Sequence, residues 1–229
     1  MVRTRIAELF DSQVATFIAA TEFQDLEAGR AAREQYDAFI EDVARAHLKS
    51  PQLLAFLYSI APPASTGAVL HNLLEELGME DETGTAHPAL LRELVVGAGL
   101  ASRLPEIEAR AEDDLRRVVA DPILYGSLRD VGLAALTEIV AFEYMLSRVS
   151  RRIATALERH RGLAPATLRW FTHHSEVDRA HAEQGLDGLD AYVRYYGLPV
   201  DEALTIVEMT LRENVFARRY FRPAVGSAR

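Results

Sequence analysis

The sequence predicts an all-α protein, a single helical bundle of about seven to nine helices. Three observations carry that prediction. Apolar residues recur at three- and four-residue intervals along nearly the whole chain, strand patterns are scarce, and proline sits near the starts of the periodic segments rather than inside them. The periodicity places helices at about residues 3–20, 25–47, 51–60, 65–77, 88–99, 104–119, 122–160, 165–196 and 199–219. The first two rest on periodicity alone. Pro51, Pro88, Pro105, Pro122, Pro165 and Pro199 mark six of the remaining starts, where the missing amide has no intrahelical partner to lose. Pro62-Pro63 separates 51–60 from 65–77, and the acidic, turn-rich "GMEDETGTA" (residues 78–86) separates 65–77 from 88–99. Gly162 and Gly197 follow long helical runs, the usual place for a left-handed cap. With no internal repeat, low-complexity tract or interdomain linker, residues 1–229 read as one domain.

Composition narrows the function classes. The chain has 229 residues, 49% apolar and 26% charged, with a formal charge of −9 and a pI near 5.3. It contains no basic block and no arginine–aromatic interleaving, which argues against nucleic acid as a partner. The absence of cysteine excludes disulfides, iron–sulfur clusters, thiolate zinc sites and a cysteine nucleophile. Lys49 is the only lysine, so Schiff-base chemistry has a single candidate. The N-terminal stretch has no long apolar core and carries Glu8 and Asp11, unlike a signal peptide. No apolar run approaches the ~20 residues needed to cross a bilayer. The expectation is a soluble cytoplasmic protein that acts on a small molecule, with no membrane partner.

The stretch "FTHHSEVDRAH" (residues 171–181) concentrates three histidines and two carboxylates. His174, Asp178 and His181 stand at i, i+4 and i+7, on the same helix side as Trp170, Leu186 and Leu189. His173 and Glu176 point elsewhere, to solvent or a neighbouring helix. An inward His–Asp–His set needs compensation for its buried charge; a metal supplies it, and so does a hydrogen-bonded network. In 122–160 the stripe Leu136, Ile139, Val140, Leu146, Ile153, Leu157 is interrupted by Glu143, where the pattern calls for leucine. Glu143 is a metal ligand or the partner of an arginine or hydroxyl. Glu138 falls off the stripe and reads as a surface residue. In "HNLLEELG" (residues 71–78) Glu76 borders the apolar seam, Glu75 faces more nearly away and His71 is intermediate. His87 precedes Pro88 and is a ligand or a helix-flanking residue. Glu76, His87, Glu143, His174, Asp178 and His181 together supply three carboxylates and three imidazoles. A sulfur-free O/N set suits iron or manganese, with zinc and nickel open on ligand type, and six ligands suit two adjacent ions better than one. The ferritin-like pattern requires Glu-x-x-His pairs, and none occurs here.

Three segments resemble the haem-oxygenase-like di-iron oxidases and oxygenases, also called iron-containing redox enzymes. "NLLEELG" followed by "TAHPALLREL" is similar to the family's Glu-loop-His segment, "AFEYMLSRVSRRIATALERHRGL" to its central-helix glutamate segment, and "WFTHHSEVDRAHA" to its His-x-x-x-Asp-x-x-His helix. The resemblance covers roughly residues 70–185. It implies a compact haem-oxygenase-like fold that binds two Fe(II) ions, the second labile, at the six matching positions, and uses dioxygen as co-substrate. It implies small carboxylate substrates, amino acids above all, in natural-product biosynthesis, with desaturation, cyclisation, C–C cleavage or N-oxygenation as outcomes. Fatty-acid decarboxylation to a terminal alkene is the alternative chemistry, and a non-catalytic metal-binding or interaction protein the alternative class. Homodimers occur among similar proteins. Relatives of the same fold with a nucleophilic cysteine, or with an axial haem histidine on the first helix, are excluded by the missing cysteine and by the lack of histidine in residues 1–46. Arg148 and Arg169 are candidate carboxylate anchors or, among 24 arginines, surface residues.

Overall fold

The computed structural model of the chain describes residues 2–80, 84–124 and 126–213, with the side chains of residues 176–179 and 213 outside that description. In chain order the helices are α1 (Val2–Ala19), α2 (Thr21–Ala28), α3 (Arg33–His47), α4 (Ser50–Ile60), α5 (Thr66–Glu76), α6 (His87–Gly97), α7 (Leu104–Leu115), the short α8 (Asp121–Ile123), α9 (Leu128–Ala156), α10 (Arg169–Tyr195) and α11 (Val200–Glu213). A π turn links α7 to α8 and another extends α9, while 3₁₀ turns precede α7 and α10. No strand occurs among the described residues. The fold is all-α, as the periodicity predicts.

Two boundaries differ from the sequence reading, each for a local reason. The segment 25–47 is two helices, because Gly29 adopts φ 73° and closes α2 with its amide on Leu26 O. A Cβ at Gly29 would lie 2.5 Å from the His160 ring, so the break also seats the end of the α9 extension. The long central helix begins at Leu128 rather than at Pro122: a turn closed by Gly126 N–H on Pro122 O ends α8. Ser127 then caps α9, its hydroxyl accepting from Asp130 N–H at 3.1 Å. Residues 214–219 of the last expected helix lie outside the described residues. Gly162 and Gly197 take left-handed φ as caps.

The core is organised around α9 and α10. Val140 lies against Gly185 and Gly132 against Tyr192, so residue numbers fall along one helix as they rise along the other, and the pair is antiparallel. α1, α2, α4, α8 and α11 also pack on α9. As a result 21 of its 29 residues are buried, including the polar Thr137, Glu138, Glu143, Ser147 and Ser150. α1 contributes the stripe Ile6, Phe10, Val14 and Phe17, and α11 contributes Ala203, Leu204 and Val207. α3 packs on α6 and α7, where Arg45 makes a two-pronged ion pair with Asp114 at 2.7 and 2.9 Å. α4, α5, α6 and α10 form the wall that carries the candidate site.

Two glycines of this pair make opposite predictions. A Cβ at Gly132 would lie 2.1 Å from Tyr192 Oη and 2.4 Å from Ile60, and that hydroxyl is held by Arg129 O. At Gly188, within α10, a Cβ meets nothing within 4 Å. Alanine is favoured over glycine by about 0.5–1 kcal/mol in a helix interior, whereas overpacking costs about 1–3 kcal/mol. Gly188→Ala is therefore expected to raise the denaturation midpoint and Gly132→Ala to lower it; equal shifts in urea unfolding would contradict the close approach of α9 and α10.

Candidate metal centre

The site begins at the last turn of α5. Glu76 is 6% exposed, among the few buried carboxylates of the protein. Its Oε1 accepts from His87 Nδ1 at 2.9 Å, its Oε2 accepts from Ser50 Oγ at 2.6 Å, and His174 Nε2 stands 3.9 Å from Oε1. Four helices thus converge on one carboxylate: α4 through Ser50, α5 through Glu76, α6 through His87 and α10 through His174. The chain can bring His87 back over Glu76 because Gly78 takes φ 71°. A Cβ there would meet the backbone of Thr85 and Ala86 at 2.6 Å, so the returning strand of the loop lies directly on the turn. Pro88 then starts α6 with His87 in its first turn.

Protonation follows from these contacts. Trp170 O can only accept, so at 2.7 Å His174 Nδ1 carries the proton and Nε2 directs its lone pair at the site. The same carbonyl contact orients the ring, in the manner of the outer-shell partners of metal-bound histidines. Burial drives the His174 pKa down to about 4, with His87 adding to the depression against the pull of Glu76. Burial by itself raises the Glu76 carboxyl, but the attraction of His87, reinforced by His174, outweighs it and holds the group well below the usual carboxylate range. At neutral pH the cluster therefore joins an ionised carboxylate to a neutral His174 imidazole, which is the form a cation needs. One ligand atom from each of Glu76, His87 and His174 lies within 4.8 Å of the other two. Two imidazoles and one carboxylate, without sulfur, fit the facial donor set of non-haem Fe(II) sites.

The other sequence candidates fall around this trio. Glu143 is 5% exposed on α9 and accepts from Asn72 Nδ2 at 2.6 Å. His181, two turns below His174 on α10, is 8% exposed and pairs through Nε2 with Glu75 Oε2 at 2.6 Å. Glu143 and His181 face one cleft, whose walls come from Leu54 and Leu57 of α4, Val69 of α5, and Ile139 and Val140 of α9. Asn72 and Gln184 add amide groups there, and among the described residues no lysine or arginine lines it. The Asp178 side chain lies outside the described residues, as does that of Glu176. The structure thus gathers Glu76, His87 and His174 tightly and sets Glu143 and His181 on a shared cleft wall.

Several residues sit differently from their sequence reading. Glu138, expected at the surface, is 7% exposed, because residues 131–147 of α9 are enclosed and a single apolar stripe does not define their interior. Glu75, expected to face away, is mostly buried against His181. His173, by contrast, faces the neighbouring helix α6, one of its two expected placements, with its ring against His87 at 4.8 Å. His47 was not singled out, yet it is buried and stacked on Phe142 and Trp170 at 3.6 and 5.1 Å. Burial, then repulsion from His174, hold its pKa well below the ordinary value. Its signal was available: Tyr36, Ile40 and Val43 form a stripe whose next member is position 47. Ser50 carried no comparable signal. Arg148 lies over the Tyr144 ring and Arg169 pairs with the exposed Glu93, so both belong to the surface.

A solved structure described as a domain of unknown function with a heme oxygenase-like fold, from Shewanella denitrificans OS217, is similar to this chain with a TM-score of 0.60 at 14% identity, covering 95% of this chain and 88% of its own. That likeness establishes the fold. Among curated proteins none matches. The sequence itself matches a family described as iron-containing redox enzymes over residues 37–196, a span that holds α4, α5, α6, α9, α10 and every residue of the site, and the chain belongs to that family.

Proposed function

We propose that this protein is a non-haem iron oxidoreductase that uses dioxygen on a small carboxylate substrate, with an amino acid as the favoured class. The observation that carries the reading is the buried Glu76–His87–His174 cluster in a chain of the iron-containing redox family. In this reading Glu76, His87, Glu143, His174, Asp178 and His181 hold two Fe(II) ions, and the protein works in the cytoplasm; no described helix is long and apolar enough to cross a membrane. Bound iron supplies one-electron and dioxygen chemistry that amino-acid side chains lack.

The protein's own residues do the rest. Glu76 stays ionised, and Trp170 O fixes the His174 tautomer so that Nε2 faces the site. Ser50 donates to the second Glu76 oxygen and keeps that carboxylate from rotating away. The walls formed by Leu54, Leu57, Val69 and Ile139 exclude water from the substrate beside Glu143 and His181, which protects a reactive centre from side reactions. Asn72 and Gln184 offer amide contacts to a polar substrate group. The apolar character of these walls favours a second reading, in which the occupant is a fatty acid whose alkyl chain lies along α4 and α9.

Adding Fe(II) anaerobically to metal-free protein and then admitting oxygen tests the reading. Uptake of about two ions per chain, followed by oxygen consumption and a transient visible absorption band, is expected. Iron that binds adventitiously and leaves oxygen untouched would favour a non-catalytic helical protein. Replacing Glu76 or Glu143 by alanine is expected to weaken iron binding about tenfold or more while the helical circular dichroism is kept. Unchanged iron content in both variants would remove them from the ligand set. Oxygen uptake stimulated by long-chain fatty acids, and not by amino acids, would select the second reading.

A further inference from the structure

A chain of alternating imidazole and carboxylate groups leads from the surface to His181. Glu80 Oε2 lies 2.5 Å from His71 Nδ1, His71 Nε2 lies 3.6 Å from Glu75 Oε1, and Glu75 Oε2 lies 2.6 Å from His181 Nε2. The two outer side chains, Glu80 and His71, are 43% and 49% exposed, and the two inner ones, Glu75 and His181, only 17% and 8%. The outer end is held in place by the loop: the amides of Met79 and Glu80 both donate to Leu74 O, which folds residue 80 back over the end of α5. At the inner end the chain passes from Glu75, the neighbour of Glu76 on α5, to His181 on α10.

We propose that Glu80, His71 and Glu75 form the path by which a divalent metal ion enters the protein. The inference rests on the metal-site reading above. A hydrated cation cannot cross a protein wall bare, since the desolvation cost is several kcal/mol or more. It crosses by exchanging waters for ligands one at a time, and oxygen and imidazole donors are those a first-row divalent ion accepts. Each step of the chain offers the next such donor before the last is released. The cleft beside Glu143 has mostly apolar walls and, among the described residues, no succession of donors leading in from solvent comparable to Glu80, His71 and Glu75. The net charge of −9, with Glu80 at the mouth and Glu75 behind it, draws cations rather than anions to this point. The path explains why two adjacent glutamates end α5: Glu76 turns to the buried cluster and Glu75 serves the approach.

Trp170 reports the arrival. It is the only tryptophan and its ring lies 4.3 Å from that of His174, so Co(II) at the site quenches its fluorescence. In stopped-flow mixing of the metal-free full chain with Co(II), His71→Ala and Glu80→Ala are expected to slow quenching by about fivefold or more, within the range that local charge changes produce in association rates. Because a path serves both directions, release to an excess chelator slows by the same factor, and the final stoichiometry and dissociation constant stay at the wild-type values. Glu34→Ala, which removes an equal charge from an exposed position on α3, leaves both rates unchanged. Wild-type uptake rates in the His71 and Glu80 variants would overturn the path. Weakened equilibrium binding with an unaltered uptake rate would overturn it too, making these residues ligands. A wild-type chain that shows no saturable quenching would sink the metal-site reading together with the path, so the two failures are distinguishable.

Discussion

A carboxylate removed from water governs this structure. Isolated in a protein interior, the charge of Glu76 would cost several kcal/mol, and the fold offsets that cost by bringing one polar group from each of three other helices to it. Ser50 and His87 contribute hydrogen bonds to charge, which are worth more than neutral ones, and His174 faces it from α10. Each of these groups is useful only in register with the others. The constraint therefore reaches back into the loop, where Gly78 allows the chain to return, and into α10, where Trp170 O sets the direction of the His174 ring.

The central helix answers a different constraint. α9 is surrounded by α1, α2, α4, α10 and α11, so residues 131–147 have no solvated face on which to place polar side chains, and the exposed Arg148, Arg151, Arg152 and Thr155 lie beyond them in the last turns. Its buried polar groups, Thr137, Glu138, Glu143, Ser147 and Ser150, all require partners in the interior; Asn72 provides one for Glu143 and the backbone carbonyl of Tyr144 one for Ser147. Close approach of α10 is secured by Gly132 and Gly185, which leave room for Tyr192 and Val140. The same packing leaves the cleft between α4, α5, α9 and α10 open beside Glu143 and His181. Polar donors and apolar walls thus meet along one line.

Much of this was legible in the residues. Helix periodicity and proline placement located nearly every helix, and the interrupted stripe identified Glu143 as inward because a carboxylate stood where leucine belonged. The spacing of 174 and 181 placed both histidines on the buried side, and Glu76 bordered its seam. Glu138 and Glu75 were misplaced for a common reason. A helical wheel assigns one inside and one outside, and neither an enclosed helix such as α9 nor a helix end wedged between two neighbours has a single outside. The break at Gly29 escaped because glycine within a periodic segment is compatible with either a helix interior or a left-handed cap, and the His160 ring that favours the cap lies more than 130 residues away in sequence.

The sequence by itself determined the all-α class, the family and the buried side on which Glu76, Glu143, His174 and His181 lie, because these depend on the chemistry and period of neighbouring residues. Only the tertiary structure decided which of these side chains meet. Glu76 joins His87 and His174 while its neighbour Glu75 joins His181, and adjacent positions on one helix part company because they point about 100° apart toward different neighbours. Pairing between helices is set by how they cross and how far each is rotated, which packing fixes and no local pattern encodes.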